Sequence, residues 1–74
     1  MMYDQGFSRT YPGFTTVTAR DIKDGYAVRL PGRERYVGEV EKVTRTGVSV
    51  DILWADGTET RGIHGNTDVQ IQIG

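Results

Sequence analysis

The chain has 74 residues and no cysteine, which excludes disulfides, thiolate metal sites and cysteine nucleophiles. Nine Lys and Arg stand against ten Asp and Glu, and the resulting pI near 5.7 excludes the globally basic surface of a general nucleic-acid binder. A domain this small buries only about 60% of the surface its unfolded chain exposes, so one compact core is expected, without a substrate pocket of roughly 300 Å³ or more.

No apolar run approaches the roughly 18 residues of a membrane span. The opening residues Met1-Met2-Tyr3-Asp4-Gln5-Gly6 have neither the basic start nor the apolar stretch of a signal peptide, so a cytoplasmic location is expected. Residues 1–16 read as an arm and residues 17–74 as the folded domain. Four of the seven aromatics, Tyr3, Phe7, Tyr11 and Phe14, fall in the arm at helical spacing. Gly6, Pro12 and Gly13 oppose a helix, and Pro12-Gly13 signals a turn. The arm reads either as a segment folded back over the domain or as a docking element that orders on a partner.

Val17 and Ala19 alternate with Thr16 and Thr18 in a short extended lead-in, Ile22 is a core plug, and Lys23-Asp24-Gly25 is a turn. Five strands are predicted after it. In residues 26–30, Tyr26, Val28 and Leu30 share a face. In residues 36–45, Tyr36, Gly38 and Val40 share a face while Val43 falls out of phase, which predicts a bulge near Glu41-Lys42. In residues 48–54, Val48, Val50, Ile52 and Trp54 face inward. Asp56-Gly57 is a hairpin signal of the type I′ kind, leading into residues 58–63. Val69, Ile71 and Ile73 alternate in the last strand.

Strand 36–43, strand 47–54, the turn Asp56-Gly57-Thr58-Glu59 and the closing Thr67-Asp68-Val69-Gln70-Ile71 together resemble the Src-homology-3-like (SH3-like) small barrel, and within it the Tudor and KOW-type modules. The lead-in at 18–25 resembles short proteins of bacteria and their phages. The resemblance implies an all-β, five-stranded antiparallel barrel carrying a short aromatic arm. It also implies a binding role, since such barrels take peptides, modified side chains, RNA, DNA or other proteins.

Four constellations follow. Tyr26, Tyr36 and Trp54 with Asp56 are the candidates for a Tudor-like aromatic cage, but the phase of Tyr26 and Trp54 reads as core. Arg29, Arg33 and Arg35 flank Pro31-Gly32, and with Arg45 they form a candidate nucleic-acid contact of the KOW type. Glu39, Glu41, Asp51 and Glu59 form an outward acidic stripe with Val37 and Leu53, in which Asp51 and Glu59 face each other across the hairpin. His64, the only histidine, has no cysteine or second histidine beside it, and no nucleophile elbow, phosphate loop or metal-ligand spacing is present. The expectation is a non-enzymatic interaction module with no cofactor and no metal. It docks on a protein partner through Tyr3, Phe7, Tyr11, Phe14, Arg33 and Arg35. The alternatives are weak RNA or DNA contact through Arg29, Arg33, Arg35 and Arg45, and homo-oligomeric self-assembly of a phage-type structural protein.

Overall fold

A computed structural model describes residues 11–33 and 36–73. The architecture is all-β and antiparallel: β1 Phe14–Thr18, a 3-10 turn Ala19–Asp21, β2 Ala27–Arg29, β3 Val37–Thr46, β4 Ser49–Trp54, β5 Glu59–His64 and β6 Asp68–Gln72. The strands lie in the order β1-β6-β2-β3-β4-β5. This corrects the five-stranded barrel in two respects. The described residues form six strands, and among them no ladder joins β1 to β5, so the sheet is open.

The extra strand comes from the lead-in. Phe14–Thr18 is short and rich in threonine, but it finds a full antiparallel partner in β6, from Phe14 opposite Gln72 to Thr18 opposite Asp68. β-branched residues suit that pleated surface. A turn precedes it, with the Phe14 amide donating to the Tyr11 carbonyl at 3.0 Å, as Pro12-Gly13 predicts. The gap between the two sheet ends is spanned by the 3-10 turn. Ala19 and Arg20 donate their amides to the Thr67 and Gly65 carbonyls at 2.8 and 3.1 Å, and Gly65 donates to the Val48 carbonyl at 2.7 Å. Buried backbone polar groups are thus satisfied without barrel closure.

β3 is the shared element. Its first part pairs with β2 (Val28 opposite Gly38) and its second with β4 (Val43 opposite Ile52). The register shifts between Val40 and Lys42, where the phase of Val43 predicts the bulge. The displaced Val43 amide donates to Asp24 Oδ1 at 3.0 Å, which anchors the bend. Ala19, Ile22, Val28, Leu30, Val40, Val50, Ile52, Trp54 and Val69 form one buried core, with Tyr26 packed against it. Each such side chain contributes about 1.5–3 kcal/mol when fully buried.

Two details of the hairpins depart from expectation. Val48 is not a core residue. It lies in the two-residue turn Gly47-Val48, since Thr46 pairs with Ser49, and it is 68% exposed. The Asp56-Gly57 hairpin is not type I′, because Asp56 keeps a negative φ and only Gly57 is positive, at +91°. Gly57 donates to the Trp54 carbonyl at 2.9 Å, and Trp54 donates to the Thr58 carbonyl at 2.8 Å. This is a three-residue loop, a turn followed by a left-handed glycine, which needs φ > 0 at one position and not two.

Candidate functional site

Four of the described candidate residues gather at the end of β4. Trp54 closes that strand, Tyr36 stands just before β3, Arg33 comes from the loop after β2, and Asp56 sits in the hairpin turn. With Leu30, Thr58, Glu59 and Thr60 they line a groove of about 190 Å³. The Tyr36 and Trp54 rings meet edge to face, 6.2 Å apart at 79°, the geometry that ring quadrupoles favour. Gly38 makes this approach feasible. A Cβ there would lie 2.5 Å from Trp54 Cε3 and 3.0 Å from Tyr36 Cε2. Trp54 itself is 4% exposed and donates Nε1–H to Thr60 Oγ1 at 2.8 Å, so its ring is fixed from behind.

Asp56 organises the polar side. Its Oδ1 accepts from the Thr58 amide at 3.0 Å and from Thr58 Oγ1 at 2.6 Å, while its Oδ2 accepts from Tyr36 O–H at 3.2 Å. The Thr58 hydroxyl, then the Thr58 amide, hold the carboxyl below its ordinary value, against an opposing desolvation effect. Desolvation is the main cause that raises the Tyr36 phenol, although the residue is 42% exposed; the hydrogen bond to Asp56 and its charge add to it, and Arg33 opposes. The Arg33 guanidinium lies 5.9 Å from the Tyr36 ring centroid. The groove therefore combines an aromatic edge with the Arg33 cation and the carboxylates of Asp56 and Glu59.

The other candidates are dispersed. Arg29 is 8% exposed, with its guanidinium 3.9 Å from the Tyr11 ring and 4.4 Å from the Phe14 ring. The aromatics at 11 and 14 thus fold back onto β2, and Arg29 is not at the surface where a phosphate contact would need it. Arg45 donates from Nε to the Arg20 carbonyl at 2.9 Å and from Nη2 to the Ile22 carbonyl, which ties the 3-10 turn to β3. Tyr3, Phe7 and Arg35 lie outside the described residues. Tyr26 does not line the groove, so the cage set reduces to Tyr36, Trp54 and Asp56.

The acidic stripe is also modified. Glu59 lies opposite Leu53, not Asp51, because the hairpin closes between Trp54 and Thr58 and leaves Glu59 next to the turn. Asp51 Oδ1 instead accepts the Gly62 amide at 2.8 Å, and Glu59 accepts from Arg61 Nε at 2.8 Å. Lys42, Asp51, Leu53 and Arg61 line a shallow depression of about 320 Å³ on this face, a mixed-charge surface and not an acidic one. His64 ends β5, and its Nδ1 accepts the Asn66 amide at 3.0 Å. Among the described residues, no group of His, Asp and Glu could hold a metal ion, and no helix is long and apolar enough to cross a membrane.

Thr58 and Thr60, which fix Asp56 and Trp54, are absent from the sequence-based site. The signal for Thr58 is local, a threonine two residues after an aspartate in a turn. The signal for Thr60 is not, because it depends on the ladder that brings β5 beside Trp54. No family model matches the chain, and neither a curated protein nor a solved structure does.

Proposed function

We propose that this protein is a small, non-enzymatic interaction module that docks a segment of a protein partner in the groove at Arg33, Tyr36, Trp54 and Asp56. The observation that carries this reading is the groove itself, where an aromatic edge held by Gly38 and Thr60 shares the lining with charges of both signs. Aromatic and arginine side chains at a fixed surface are the usual anchors of protein recognition. A segment with one apolar side chain for the Tyr36–Trp54 edge and one basic side chain for Asp56 and Glu59 suits the lining. The run of strands β2, β3, β4 and β5, with β6 returning beside β2, supports a Src-homology-3-like arrangement in which β1 is an added edge strand. Arg29 is buried under the Tyr11 and Phe14 rings, which takes it out of a nucleic-acid contact at this end of the sheet and favours a protein as the groove's ligand.

The test is selection from a random peptide library on the full chain, compared with Arg33→Ala/Tyr36→Ala. A peptide family that enriches on the parent alone, and shifts the Trp54 indole resonance, supports the reading. Equal enrichment on both proteins removes the groove as the docking site.

One observation favours self-assembly as a second reading. The edge strand β1 carries no charge, proline or bulge among Phe14–Thr18, whereas β5 carries Glu59, Arg61 and an irregular register. Charge and bulges are the usual guards against edge-to-edge pairing. Mass that rises with concentration in the parent, and stays monomeric in Thr16→Lys, supports this reading; a constant monomer mass in the parent rejects it.

A further inference from the structure

The 3-10 turn, the end of β3 and the end of β5 converge on a second pocket, of about 120 Å³, lined by Arg20, Arg45, Val48, His64 and Asn66. None of the groove residues contributes to it. It is smaller than the roughly 300 Å³ of a site for a whole drug-sized ligand, so it suits a single functional group.

Its lining is cationic and rich in donors. A guanidinium carries five N–H donors. Arg45 directs two of them to the Arg20 and Ile22 carbonyls, so its side chain is oriented while three donors remain. Arg20 directs one, from Nη2 to Asn66 Oδ1 at 2.6 Å, and four remain. Because His64 Nδ1 accepts the Asn66 amide, the proton of the neutral ring sits on Nε2, which is therefore another donor. Asn66 thus positions both Arg20 and His64. Among the described residues, no Asp or Glu lines the pocket. Two guanidiniums that line one pocket with no carboxylate of the described residues beside them both attract an anion placed there.

We propose that this pocket binds one phosphate group of a small phosphomonoester, gripped by Arg20 and Arg45 and capped by His64 Nε2–H. Guanidinium forks match phosphate oxygens in geometry as well as charge. Val48, 68% exposed in its turn, offers the organic part of the ester an apolar rim. The same chemistry is offered by the phosphate of a nucleic-acid backbone, and the experiment separates the two sources.

The experiment is a nitrogen–proton NMR titration of the full chain with inorganic phosphate, then ribose 5-phosphate, then a short oligonucleotide without terminal phosphate. Sodium chloride at matched ionic strength is the control. Inorganic phosphate is expected to give saturable shifts at the Arg20 and Arg45 Nε–H groups and at Gly65 and Asn66, with a Kd on the order of 1 mM. Arg20→Gln weakens this about tenfold, through loss of a charge-assisted contact. His64→Gln is the second variant, should Arg20→Gln disturb the fold. Saturation by ribose 5-phosphate without the oligonucleotide assigns a small ester, and saturation by the oligonucleotide assigns a backbone phosphate. Shifts no larger than those of chloride, or an unchanged Kd in a folded variant, overturn the proposal.

Discussion

The two ends of β4 carry opposite chemistry on one rigid strand. At the Trp54 end, aromatic rings meet an acid and an exposed arginine. At the Val50 end, arginines and a histidine meet without an acid among the described residues. Between them Val50, Ile52 and Trp54 are all buried on one face. The contrast shows how a single strand can separate two recognition surfaces. Its alternation serves the core, while the residues at and beyond its ends are set by turns that packing does not constrain.

The largest expected effect breaks both ends together. Ile52 is 1% exposed at the centre of the strand. Ile52→Ala is expected to cost about 2–5 kcal/mol, a large share of the few kcal/mol available to a domain this size. Denaturant melts followed by Trp54 fluorescence measure it. Loss of both surfaces in parallel is expected, and survival of either alone would show that the ends do not depend on a common core.

A smaller effect is confined to the Trp54 end. Gly38→Ala places a methyl against a ring that is buried and held by Thr60. Overpacking of this kind costs about 1–3 kcal/mol. The Tyr36–Trp54 contact should open and peptide capture should fall, while the Arg20 and Arg45 resonances keep their positions. Movement of those resonances would mean that the ends are coupled. At the other end, Arg45→Gln removes two hydrogen bonds to carbonyls of the 3-10 turn segment, for a loss of about 1 kcal/mol. Faster hydrogen exchange at Ala19 and Arg20, with the Trp54 indole unchanged, is the expected signature.

This separation was partly legible in the residues. Alternation located Val50, Ile52 and Trp54, and the phase slip of Val43 located the β3 bulge. Both are local consequences of a period of two. Only residues 16–18 of β1 read as an extended lead-in, with Phe14 falling in the aromatic arm, because Phe14–Thr18 has no strong apolar face; what makes it a strand is the free edge of β6. Arg29 looked like an outward residue beside Val28 and Leu30. It is covered because the Tyr11 ring, from the turn before β1, and the Phe14 ring, from β1 itself, lie against its guanidinium, which alternation cannot encode. Tyr36, Trp54 and Asp56 were legible as an aromatic and acidic set, but their contact depends on the bare backbone of Gly38 two residues after Tyr36. The pocket at Arg20 and His64 brings together residues far apart in the chain and had no local signature.

The smallest effect is a titration at the Trp54 end. The folded state holds the Asp56 carboxyl below its ordinary value of 3.8, chiefly through the Thr58 hydroxyl. A carboxyl lowered on folding adds stability above its unfolded pKa, and that stability is lost as pH falls through the folded value. Tyr36 has the opposite sense. Its phenol is raised above 10.0, so its contribution is complete below that pH and is lost as pH rises through the folded value. The Tyr36–Asp56 hydrogen bond needs a protonated phenol and is strongest to an ionised carboxylate, so it weakens as the carboxyl protonates and fails when the phenol ionises. Thr58→Val removes the hydroxyl but leaves the Thr58 amide bond geometry available to the valine backbone. The carboxyl titration, followed by carbon NMR at Asp56, should therefore move upward without reaching the value of an unstructured chain. An unchanged titration in Thr58→Val would mean that the backbone amide and Tyr36, not the hydroxyl, hold the carboxylate in place, and the groove's acidic side would then owe its geometry to the turn alone.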